Sequence, residues 1–188
     1  MIQLAANESL ANLHVFSGSG GFYFVMPDDS LWHWGQGTRW NGSGPIIPRL
    51  LDATNRWRSV GAAVNGVYGL RTDGTIWLSM LGPDGSLIDS RQIGSDRDWE
   101  SLAVGREHHG AIKRDGTLWM WGDNRVHQLG LDAPALQAEP IQVGTNRNWK
   151  TVRSWSRGTL GLQTDGSLWF WGEVSHLFKG AHPVTAPD

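Results

Sequence analysis

The sequence has no cysteine among its 188 residues. Disulfides and thiolate metal sites are therefore excluded, and thiol usage says nothing about the redox compartment. No apolar run approaches the ~20 residues that a bilayer-spanning helix needs. The opening residues, Met1-Ile2-Gln3-Leu4-Ala5-Ala6-Asn7-Glu8, carry neither a basic start nor an apolar stretch. They do not read as a secretory signal, and the expected location is the cytoplasm. An excess of charge of one sign is also lacking, with 16 basic against 18 acidic residues and a net charge of -2. A nucleic-acid or membrane surface needs clustered Lys and Arg, so neither is an expected partner. Sustained helical periodicity is missing throughout.

What the chain does have is 25 Gly and 12 Trp. Together they imply many tight turns and large flat side chains filling a core. The Trp residues recur in order. The run Asp-Gly-Thr/Ser-Leu/Ile-Trp occurs at 73–77, 115–119 and 165–169, with a degenerate copy at Asp28-Asp29-Ser30-Leu31-Trp32. Three copies continue as Trp-x-Trp-Gly, ending at Gly35, Gly122 and Gly172, whereas the second reads Trp77-Leu78-Ser79-Met80. Sixteen residues before each Asp stands a second element, at Trp57-Arg58-Ser59-Val60, Trp99-Glu100-Ser101-Leu102 and Trp149-Lys150-Thr151-Val152. In the first copy the same offset lands on Asn12-Leu13-His14-Val15, where the Trp is lost. A third element, Ile141-Gln142-Val143, has counterparts at Arg49-Leu50-Leu51 and Arg91-Gln92-Ile93, and Ile2-Gln3-Leu4 opens the first copy.

Periods of 40 to 50 residues point to propellers or related arrays. Each repeat reads as four short strands, the last two joined by Asp-Gly. Such a pair between apolar runs predicts a type I′ hairpin turn. Trp119 and Trp121 are two apart and so share a strand face in the core, with Met120 on the other. The expected fold is all-β, a propeller or partial propeller of four blades, each a four-stranded antiparallel sheet. The chain 1–188 reads as a single domain with repeats at about 2–47, 48–89, 90–138 and 139–182.

These elements resemble the regulator-of-chromosome-condensation repeat in its bacterial form. Repeat three carries Gly105-Arg106-Glu107-His108 where the family has Gly-x-x-His. It also carries Asn124-Arg125-Val126-His127-Gln128-Leu129-Gly130, with His127 in place of the usual Gly. The resemblance implies a non-catalytic scaffold that docks onto other proteins, and rings that generally close with seven blades. Nucleotide exchange on a small GTPase, known in the family, has no matching motif here. Four repeats leave three arrangements open: a closed ring, an open arc capped by a partner, or a homodimer whose two arcs complete one ring.

No cofactor and no metal are expected. None of the seven His stands at the spacing of a zinc protease, and the adjacent His108 and His109 point to opposite faces of a strand. The recurring Asp28, Asp73, Asp115 and Asp165 are expected as turn residues, and the recurring Arg56, Arg97 and Arg147 as structural, stacking on the repeat Trp. His108 reads first as a packing residue. Two Trp fall outside the repeat: Trp40, between Arg39 and Asn41, and Trp155, where repeat three has Gly105. Loop Trp and Arg are enriched in interaction hot spots. The candidate partner-binding residues are therefore Arg39, Trp40, Asn41, Arg106, His108, Trp155 and Arg157. Folding back to cover an apolar edge is the alternative for both Trp. The partner expected is another protein. A glycan stacked on Trp40 and Trp155, with Asn41 or Arg157 supplying hydrogen bonds, is the second reading, and a small protein neutralising or accompanying a toxin or phage component the third.

Overall fold

The Asp-Gly turns set the strand phase. In the computed structural model, which describes residues 14–18, 21–35, 48–64, 66–82, 86–173 and 182–184, Lys113 N donates to Thr117 O at 3.0 Å and Gly116 N to Lys113 O at 2.9 Å. Three residues thus close the hairpin, and only the glycine is left-handed: φ is 81° at Gly74, 80° at Gly116 and 89° at Gly166. The two-residue type I′ turn expected from sequence is replaced by the three-residue loop that ends in a left-handed glycine. In the first copy Asp29 takes that place with φ 64°.

The rest of the motif is a hydrogen-bond chain. Thr117 donates its backbone N–H and its hydroxyl to Asp115 Oδ1, and Trp119 Nε1 donates to Thr117 Oγ1 at 3.0 Å. The same relay runs through Asp28–Ser30–Trp32, Asp73–Thr75–Trp77 and Asp165–Ser167–Trp169. The Asp residues are turn residues, as expected, and these bonds hold their carboxyl groups below the usual carboxylate range.

Among the described residues sixteen strands form four antiparallel sheets. Blade 1 is β1 (His14–Gly18), β2 (Gly21–Val25), β3 (Leu31–Gly35) and β4 (Arg49–Asp52). Blade 2 is β5 (Trp57–Ala63), β6 (Gly66–Arg71), β7 (Ile76–Leu81) and β8 (Leu87–Ile93). Blade 3 is β9 (Trp99–Val104), β10 (His108–Lys113), β11 (Leu118–Asp123) and β12 (Leu136–Gln142). Blade 4 is β13 (Trp149–Ser154), β14 (Gly158–Gln163), β15 (Leu168–Gly172) and β16 (His182–Val184). The fold is the four-blade propeller arrangement anticipated from the repeats. Sheet and repeat are out of step by one strand: Ile141 and Gln142 open a sequence repeat, yet they pair with Met120 and Trp119 of the blade before.

The innermost strands pack in series, β1 on β5, β5 on β9 and β9 on β13. The series stops there, because β13 has no comparable packing on β1 among the described residues. Blades 2 and 3 each contribute two unlike faces to the core. An aliphatic face of one blade meets a Trp face of the next. Tyr68, Leu70, Ile76 and Leu78 of blade 2 lie against Trp99, Ala111, Trp119 and Trp121 of blade 3. Ile112, Leu118 and Met120 lie against Trp149, Val152, Trp169 and Trp171 of blade 4. Tyr23, Val25 and Leu31 lie against Trp57, Val60 and Trp77 of blade 2. Trp121 is fully in the core, whereas Trp119 is half-buried.

Polar clamps repeat at the same junctions. Arg56 pairs with Asp29, Arg97 with Asp73 and Arg147 with Asp115, in each case the turn of the preceding blade. The cations stacked on the repeat Trp are others: Arg71 lies over Trp57 and Trp77, and Lys113 over Trp99 and Trp119. The recurring Arg are structural, but through ion pairs between blades rather than through the indole.

Candidate functional site

The inner strands β5, β9 and β13 end at one rim of the arc. The residues at these strand ends come together there, five to seven positions after each repeat Trp. Ala62, Ala63 and Val64, then Val104, Gly105 and Arg106, then Ser154, Trp155 and Ser156 line a cleft of about 550 Å³. Backbone hydrogen bonds tie the three segments side by side. Val64 N donates to Arg106 O at 3.1 Å, and Arg106 N to Trp155 O at 3.3 Å. Each hairpin is closed locally as well, by Gly105 N to His108 O and Trp155 N to Gly158 O. Glycine is required in the middle segment: a Cβ at Gly105 would lie 2.7 Å from His108 O and 2.8 Å from Trp155 O.

The groups the cleft presents are few. Trp155 is 42% exposed and Val64 60% exposed, large apolar surfaces at either end. Trp155 lies against Phe170, ring centroids 5.4 Å apart, which fixes the indole while leaving part of it open. Arg106 is exposed between them, and no carboxylate of the described residues pairs with its guanidinium. Ser154 and Ser156 supply the remaining side-chain polarity.

Of the residues singled out in the sequence, the structure brings Arg106 and Trp155 into this cleft. Arg157 is on the same loop but not in the lining. It is exposed, and its guanidinium is engaged with Glu173. His108 is in the interior, with no exposed surface to offer a partner. Its Nε2 meets Gly158 O at 3.1 Å and Thr159 Oγ1 at 2.9 Å, joining blade 3 to blade 4, the packing role first read for it. Burial lowers its pKa, and that of His109 falls to about 3 through burial and the neighbouring His108. Arg39, Trp40 and Asn41 lie outside the described residues. Ala62, Ala63, Val64 and Val104 were not singled out. Their only signal is the constant offset from the repeat Trp, since no residue type recurs there.

Among the described residues no three His, Asp or Glu side chains are grouped to hold a metal ion. No helix among them is long and apolar enough to cross a membrane.

Residues 115–159 match the family described as Regulator of chromosome condensation (RCC1) repeat. That stretch is an RCC1-type repeat. The matched stretch runs from the Asp115 turn of blade 3 into β14 of blade 4, so this RCC1 repeat spans a blade junction. Its Gln128-Leu129-Gly130 loop forms part of that junction. Gln128 O accepts from Thr159 Oγ1, Leu129 N donates to Asn124 Oδ1, and Gly130 lies on Trp171. His127 has the positive φ (59°) of the glycine it replaces.

Solved structures share the fold. Human WBSCR16 superposes with a TM-score of 0.69 at 14% identity, over 92% of this chain and 52% of its own. Yeast RCC1 (Prp20), in its complex with Kap60, superposes with a TM-score of 0.69 at 17% identity, over 95% and 50%. The chain thus spans about half the length of these neighbours. The computationally designed Ika4 protein gives a TM-score of 0.54 at 12% identity, over 93% of this chain and 100% of that one. Comparison with curated proteins returned no sequence match.

Proposed function

We propose that this chain is a non-catalytic protein-interaction module that takes a segment of a partner protein in the rim cleft. The observation carrying this reading is the placement of Val64, Arg106 and Trp155, from three blades, on backbone segments hydrogen-bonded to one another. Arg and Trp are the side chains most enriched in binding hot spots, and rigid presentation lowers the entropy lost on binding. The chemistry of the lining defines the partner segment. An apolar side chain suits the Ala62–Val64 wall, and a carboxylate suits Arg106, which pairs with no carboxylate of the described residues. Among the described residues no carboxylate or imidazole lines the cleft. Yeast Prp20 was solved with Kap60 bound, and the Saccharomyces cerevisiae Prp20p structure was described together with its binding to Gsp1p and histones. Those are properties of that protein; they support a protein ligand on this architecture.

A glycan would stack on Trp155, but hydroxyl recognition calls for amide or carboxylate side chains that the lining lacks. Selection from a displayed peptide library tests the reading. The wild-type chain is expected to enrich peptides with an acidic residue beside an apolar one. Trp155→Ala and Arg106→Glu are each expected to weaken those peptides by at least about tenfold, or ~1.4 kcal/mol. Enrichment of the same peptides by wild type and both variants would sink the cleft as the site. Binding to a glycan array that only Trp155→Ala abolishes would move the function to carbohydrate recognition.

A further inference from the structure

The three blade junctions all join the aliphatic face of one blade to the Trp face of the next. Among the described residues the two outermost blades therefore each leave one such face without its counterpart. On blade 1 this is the Trp face. The register puts Val15, Phe24, Trp32 and Leu50 in one row across the sheet, with Phe22 in the row beside it. Val15 is 52% exposed, whereas its counterparts Val60 and Val152 are 4% and 1% exposed. Phe22 is 47% exposed, against 3% and 2% for Val67 and His109. Leu50 is exposed as well.

Blade 4 ends in the other half of the joint. Leu160, Leu162 and Leu168 occupy the positions of Tyr68, Leu70 and Ile76, which blade 3 buries, but they remain half-buried. The turn of blade 4 shows the same vacancy of contact. A Cβ on Gly74 or Gly116 would strike the carbonyl oxygen of Arg97 or Arg147 of the following blade, while Gly166 meets no atom of the described residues within 4 Å. Asp165, unlike Asp29, Asp73 and Asp115, has no arginine across a junction among the described residues.

We propose that a second copy of this chain covers both faces, blade 4 of each copy packing on blade 1 of the other to close a two-fold ring of eight blades. The two end faces are halves of one interface that the chain already builds three times. They are also unlike one another, so a copy joins end to end rather than face to itself. Such heterologous contacts close into rings when the rotation allows. Apolar surface of this extent is otherwise left to water. The four blades match half the length of larger propellers at a TM-score of 0.69.

The chain lacks cysteine, which makes the test clean. Val25 and Val60, Leu70 and Leu102, and Ile112 and Val152 hold equivalent places in the clusters at the three internal junctions. The fourth pair in this series is Leu162 of one copy with Val15 of the other. Light scattering of the wild type should give twice 20.8 kDa, and Phe22→Asp, an exposed substitution, should halve it. On mild oxidation, a mixture of Val15→Cys and Leu162→Cys chains should form disulfides between the two variants, and either variant alone should form few. A monomer mass at every concentration overturns the proposal. Disulfides that form readily between Val15→Cys chains, or masses that grow beyond the dimer with concentration, overturn the end-to-end ring. The Cys variants carry the test if Phe22→Asp does not fold.

Discussion

At His109 burial and protonation are in direct conflict. The ring is 2% exposed and packed between Tyr68 and Trp121, with centroids at 4.0 and 5.7 Å. Its pKa, lowered to about 3, lies below the value near 6.5 expected of the unfolded chain. The folded state therefore holds the neutral form, and the unfolded state takes up the proton first as pH falls. The stability is complete above about pH 6.5 and declines toward pH 3. Between pH 7 and pH 5 the loss expected from this residue is about 2 kcal/mol. Urea unfolding at the two pH values should show it, and His109→Phe should flatten the dependence, leaving the smaller part due to His108 and His33, whose pKa values are also lowered by burial. The two Trp of the Trp-x-Trp-Gly run differ in the same measurement. Trp121→Ala should cost about 3–5 kcal/mol as a core truncation. Trp119→Ala should cost less, because half-burial leaves a smaller cavity, and what it removes is chiefly its bond to Thr117 and the stacked Lys113.

Strands and turns show which features a sequence can reveal. Gly116 and Gly166 share a left-handed backbone, so alanine at either is strained by about 1–2 kcal/mol. Only Gly116 is also in contact with the following blade, where a Cβ would lie 2.0 Å from Arg147 O. Gly116→Ala should therefore be the more costly by at least about 1 kcal/mol in dilute denaturant titrations, and equal costs would contradict the junction geometry. The blades, the hairpins and the turn role of Asp73, Asp115 and Asp165 were all legible because they rest on local chemistry at constant offsets. The grouping of strands was not. Ile141-Gln142 looks like the start of a unit in the sequence, but hydrogen bonding assigns it to the previous sheet. The partners of Arg97 and Arg147 were misread for the same reason. The indole is near in sequence, but the carboxylate reached is on the neighbouring blade. Arg106 and Trp155 were visible as unusual loop residues. Val64 and Ala62 were not, because a cleft wall needs only shape and apolarity there.

The whole molecule has an unequal distribution of packing. Among the described residues, blades 2 and 3 are covered on both faces, whereas blades 1 and 4 are each covered on one. Amide exchange should follow this division. In dilute solution β6, β7, β10 and β11 should be slowest. As concentration rises, protection should increase in β2, β3, β14 and β15, and change little in the central strands. Mass spectrometry of exchange at two concentrations separates this from uniform stabilisation. Uniform change, or none, would mean that the end faces remain open to water.

The one-strand offset between repeat and sheet reaches beyond these blades. Because each repeat finishes its predecessor's sheet, a gene segment encoding one repeat can be added or removed without altering the terminal surfaces. A chain of three or five units would display the same aliphatic end and the same Trp end.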